Sequence, residues 1–76
     1  MDKEAVGKNK SEQIADRIMA SISEGRWPMG TRLPSERELI SLYGVSRSTI
    51  RKALASLTGQ GILYTVQGGG TYINKA

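Results

Sequence analysis

The chain is 76 residues long, room for one small domain, and its 11 Lys and Arg against 7 Asp and Glu give a net charge of +4 and a pI near 9.8. A chain of this size buries only about 60% of the surface its unfolded form exposes, so a deep enzyme pocket would leave it little core. It has no cysteine and no histidine, which excludes a disulfide framework, a thiolate nucleophile, a cysteine-based zinc site and the commonest metal ligand and general base.

Residues 1–10 carry Lys3, Lys8 and Lys10 with few apolar positions, and read as a flexible lead-in. No apolar run approaches the roughly 20 residues that span a bilayer, and the polar N-terminus lacks a signal-peptide core, so a cytoplasmic protein without membrane contact is expected. Ser11 is placed to cap a first helix whose apolar face is Ile14, Ala15, Ile18, Met19 and Ile22, closed by Gly25. The connector from Arg26 to Thr31 holds Pro28 and Gly30 around Trp27 and Met29, which favours a tight ordered loop with Trp27 plugging the core. Arg32-Leu33 allows a very short strand.

Ser35 followed three residues later by Glu38 forms a capping box, so a second helix should start there and bury Leu39, Ile40, Leu42 and Tyr43, ending at Gly44. The third helix is expected from Ser46 to about Thr58, with Gly59 as its stop. Its apolar arc is Ile50, Ala53, Leu54 and Leu57, and Ser48, Arg51 and Lys52 fall on the opposite side with Arg47 and Thr49 flanking. After Gly61 the β-prone run 62–66, the glycine-rich tip 67–70 and the run 71–73 read as a hairpin. The fold class expected is therefore mainly α with a small β-sheet, a winged helix-turn-helix over residues 11–74 with three helices, a two-stranded wing and room for a short third strand.

The chemistry sits between residues 42 and 54. The turn Tyr43-Gly44-Val45-Ser46 has about the length that joins the paired helices of a helix-turn-helix, and Val45 can bury in the angle between them. Ser46 caps the third helix, whose exposed first-turn N–H groups suit a phosphate oxygen. Arg47 and Arg51, four residues apart, can each clamp the backbone or take a guanine edge bidentately, while Ser48 and Thr49 are short enough to let the helix approach closely. No acidic residue follows Glu38, so Arg47, Arg51, Lys52 and Lys75 stand without a neutralising neighbour in the sequence. Arg37 can reach a phosphate, although its charge mix with Glu36 and Glu38 also suits a plain surface. At the wing tip, Gln67 and Gly68 suit contact with the minor groove, and the same glycines also suit a turn that needs positive φ. A phosphate-cradling loop is excluded there, since no lysine and no helix pattern follow it. The seven acids lie scattered without a base partner, so no enzyme, cofactor or metal is expected.

The motifs resemble the N-terminal winged helix-turn-helix domain of the GntR family of bacterial transcription regulators. The resemblance runs from Ser11 to Ile73 through three ordered blocks, 25–39, 44–54 and 68–73, and the Val66-Gln67-Gly68 lead-in leans toward the HutC-like branch. It implies a repressor or activator domain that binds a palindromic double-stranded DNA operator as a homodimer, third helix in the major groove and wing at the minor groove. Its DNA-contacting positions would be Arg37, Ser46, Arg47, Ser48, Thr49, Arg51, Gln67 and Gly68, to which the basic face adds Lys52. The family pattern also implies a C-terminal effector-binding and dimerisation domain, which these 76 residues do not include, so a small-molecule effector would act only through that part. Two rivals are a winged helix used as a protein-docking module, which would show an exposed apolar patch and weak salt dependence, and an RNA binder using Tyr64 and Tyr72 as stacking platforms.

Overall fold

The computed structural model describes residues 9–74, so residues 1–8 of the expected lead-in lie outside the described residues, as does Lys75. Helix α1 (Lys10–Ser23) is capped by Asn9, two residues earlier than the expected Ser11. The Asn9 side chain accepts the Glu12 N–H at 2.9 Å and the Glu12 carboxylate accepts the Asn9 N–H at 3.0 Å. This reciprocal pair satisfies two N–H groups that a serine two residues later could not reach, and it draws Lys10 into the helix. Ser11 instead donates its hydroxyl to Asn9 Oδ1. Ile14, Ala15 and Ile18 are buried, Ile22 is half-buried, and Met19 at the rim of the stripe is exposed.

The connector folds back as expected, with Trp27 half-buried against the core, while Met29 beside it is 62% exposed. Helix α2 (Glu36–Tyr43) opens on the expected capping box, in which Ser35 Oγ accepts the Glu38 N–H at 3.2 Å and Glu38 accepts the Ser35 N–H at 2.9 Å. It buries Leu39 fully and Ile40 and Tyr43 in part, whereas Leu42, expected inside, is 52% exposed. Successive helical residues turn by about 100°, so Leu39, Tyr43 and Ile40 share one arc and Leu42 falls about 60° outside it.

Helix α3 (Arg47–Gly59) starts after the expected Ser46 cap but runs through Gly59. The left-handed residue is Gly61, φ +80, and the bonds that close the helix run from the Gly61 N–H to the Thr58 carbonyl and from the Ile62 N–H to the Leu57 carbonyl. A closure of this kind places the positive φ just past the cap residue, here Gln60, and glycine fits it without a Cβ clash. Ile62 is thereby committed to the helix end, so strand β1 is Leu63–Val66, one residue shorter than the expected run.

Strand β2 is Gly70–Ile73, antiparallel to β1 with Tyr64 opposite Tyr72 and Val66 opposite Gly70. Arg32 bridges Tyr72 from the other side, and the Leu33 N–H donates to the Thr71 carbonyl at 2.8 Å. The short third strand thus exists as a single bridge. Six fully buried aliphatic side chains, Ile18, Leu39, Ile50, Leu57, Leu63 and Ile73, draw all three helices and both strands to one centre. At about 1.5 to 3 kcal/mol for each such side chain, this shared burial is the main force that fixes the angle between α2 and α3.

Candidate nucleic-acid interface

With Ile50, Ala53 and Leu57 locked inward, the opposite face of α3 has no freedom but to point outward. Its N-terminus carries a knot of hydroxyls. Ser46 Oγ accepts the Thr49 N–H at 3.2 Å and lies 2.9 Å from Thr49 Oγ1 and 3.3 Å from Ser48 Oγ. Thr49 is half-buried, and Ser46 and Ser48 remain exposed. The side chains of Arg47 and Arg51 are each 63% exposed, so both project outward as the helical spacing predicts. Lys52 is exposed on the same face.

The sequence reading that leaves Arg47 and Arg51 without a neutralising neighbour is corrected by the turn between the helices. Glu36, the first residue of α2, lies 15 positions before Arg51, and its Oε2 accepts the Arg51 Nε–H at 2.9 Å. Its other oxygen stands 4.0 Å from Arg47 Nε. The helix-turn-helix angle brings one carboxylate between two arginines that local sequence keeps far from any acid. Only the known geometry of a helix pair could have revealed it beforehand.

The remaining candidates occupy separate places. Arg37 is exposed on α2, at the edge of a shallow depression that it lines with Trp27, Leu33 and Pro34. Gln67 and Gly68 are exposed at the wing tip, Gly68 with φ +75. The wing is anchored on the core by Leu63 and Ile73 and on the connector by Arg32. Nothing in the local sequence marks Arg32 as a site residue. A Cβ built at Gly70, φ +96, would stand 2.6 Å from Arg32 Nε, so the guanidinium lies against the tip end of strand β2, where Gly70 pairs with Val66. Tyr64 and Tyr72 stack on each other across the two strands, with ring centroids 5.7 Å apart and planes 19° from parallel. Each ring therefore covers a face that a stacked base would need, which weakens the RNA alternative. Among the described residues no cluster of three acids, histidines or cysteines could hold a metal, and no helix is long and apolar enough to cross a membrane.

Three helices, a tight turn before an outward polar helix face and a two-stranded wing define a winged helix-turn-helix domain. Residues 10–73 match the family described as bacterial regulatory proteins, gntR family, and the chain belongs to it. This is a family of regulators and not of enzymes. The chain is 48% identical over 63 residues to the mannosyl-D-glycerate transport/metabolism system repressor MngR of Escherichia coli (strain K12), covering 83% of this chain and 26% of that protein. It is 44% identical over 61 residues to the histidine utilization repressor of Pseudomonas aeruginosa, covering 80% of this chain and 24% of that protein, in keeping with the leaning toward the HutC-like branch. The chain thus spans about a quarter of the length of the curated relatives it matches. In the crystal structure of AraR(DBD) in complex with operator ORX1, a chain 42% identical superposes with a TM-score of 0.82, covering 91% of this chain and 83% of that one.

Proposed function

We propose that this domain is the operator-reading part of a bacterial transcription regulator, binding double-stranded DNA with α3 in the major groove and the wing at the minor groove. The observation that carries the reading is the outward projection of Arg47 and Arg51 from a helix whose opposite face is fully buried. The likeness to a DNA-binding domain in complex with its operator supports it. In this reading Ser46, Ser48 and Thr49 line the helix end that meets the backbone, Arg47 and Arg51 read base edges, and Lys52 and Arg37 take phosphates. Gln67 and Gly68 bring the wing tip to the sugar-phosphate edge. The target is an inverted repeat, read by two copies on half-sites about one helical turn apart. A small-molecule effector acts through sequence outside these residues, as the greater length of the relatives suggests, and the protein works in the cytoplasm where its DNA is.

Selection of bound duplexes from a randomised pool tests the proposal. An inverted repeat should emerge, and log affinity for it should fall linearly with log salt, with a slope of about −0.9 per phosphate neutralised. A pool that stays random after repeated rounds would overturn the reading.

A further inference from the structure

The carboxylate of Glu36 stands at the centre of the proposed base-reading face, where an acid opposes binding to a polyanion. We propose that Glu36 is a specificity-determining residue that positions Arg51 for base recognition and suppresses binding to DNA of the wrong sequence. The inference rests on the operator-binding reading above.

Two observations support it. The first is which end of the arginine is held. Glu36 Oε2 takes the Arg51 Nε–H at 2.9 Å, and among the described residues no acceptor engages the terminal nitrogens. A guanidinium can meet the O6/N7 edge of guanine end-on through its two terminal nitrogens or side-on through Nε and one of them. With Nε occupied, only the end-on approach is open, so the contact fixes both the direction and the roll of the guanidinium plane. The second is which partner is anchored. The Glu36 side chain is 35% exposed against 63% for either arginine, and it belongs to the first turn of α2, where helix N–H groups favour a negative charge. The glutamate is the post and the arginines are the arms.

The energetic consequence separates the two classes of DNA. Arg47 and Arg51 could swing onto phosphates of any sequence, and this sequence-independent attraction supplies essentially all of non-specific binding. A carboxylate 2.9 Å from one Nε and 4.0 Å from the other opposes that swing. On the right sequence a guanine takes the free terminal nitrogens without disturbing Nε, so the glutamate costs little there. Specificity is a difference of affinities, and Glu36 widens it by weakening the wrong complex.

The test uses the 76-residue chain, the duplex recovered by selection and a scrambled duplex of equal length and composition. Glu36→Gln keeps the shape and an acceptor oxygen but removes the charge. It should bind the scrambled duplex about 3- to 10-fold tighter at near-physiological salt, with a salt slope steeper by about one unit. Operator affinity should change by less than that, so the ratio of the two affinities falls. Glu36→Asp keeps the charge at the helix end but withdraws it from Arg51, and its ratio should fall as well. In an Arg51→Ala background Glu36→Gln should change the ratio far less, because the two residues act as a unit. Equal shifts on both duplexes, leaving the ratio at the wild-type value in both Glu36 variants, would overturn the inference and reduce Glu36 to a helix-end charge. A wild-type chain that itself fails to discriminate between the duplexes would overturn the operator-binding reading, and this inference with it.

Discussion

At the scale of single residues, Arg51 and Lys52 are neighbours with different geometry. Arg51 is aimed by a hydrogen bond and Lys52 has no partner among the described residues, so the first can read a base and the second supplies a point charge. Arg51→Ala is expected to weaken operator binding by about 1 to 3 kcal/mol and relax preference at one base position, whereas Lys52→Ala should weaken all duplexes alike and shallow the salt slope by about one unit. Fluorescence anisotropy on matched and scrambled duplexes separates the two. Gly70 supports a different prediction, on folding. Gly70→Ala forces a side chain onto a backbone at φ +96 and into the Arg32 guanidinium, and should lower stability by about 1 to 3 kcal/mol. Trimming the obstacle in Gly70→Ala/Arg32→Ala should recover the steric part but not the backbone part, as thermal melts of the two variants would show.

At the scale of elements, the helix ends decide where structure begins. Asn9→Ala should remove the reciprocal cap of α1 and lower stability by about 0.5 to 2 kcal/mol, while Ser11→Ala, which removes a hydroxyl bonded to the Asn9 side chain, should be nearly silent in the same denaturation series. Both residue types are good caps, and the sequence made either readable. What separated them is that Glu12 stands three residues after Asn9, a spacing visible in the chain but hidden when Asn9 is counted with a basic lead-in. The Ser35–Glu38 box was legible because nothing competes with it. The exposed Leu42 was misread because an eight-residue helix offers only a narrow arc to the core. The Glu36 contacts were illegible in principle from local pattern, since they depend on the angle between two helices. The outward direction of Arg47 and Arg51 needed only the 3.6-residue period and was legible in full.

At the scale of the whole molecule, the three helices and the wing depend on one small centre. Stabilities of about 0.05 to 0.15 kcal/mol per residue put a domain of 76 residues at roughly 4 to 11 kcal/mol. Leu57 is fully buried where α3 meets the remaining core, so Leu57→Ala should remove about 2 to 5 kcal/mol. Such a variant should melt far below the wild type and lose DNA binding together with its fold, whereas Arg51→Ala should lose binding with its melting curve intact. Circular dichroism alongside a binding titration distinguishes the two failures.

The molecule contains one tryptophan, half-buried against the core on one side and sharing a surface hollow with Arg37 on the other. That placement gives the domain its own optical gauge. Indole emission should shift to the red as the interior opens in urea, and should change in intensity when a duplex settles against the arginine beside it. Folding and docking can then be followed on the unlabelled chain through a single chromophore.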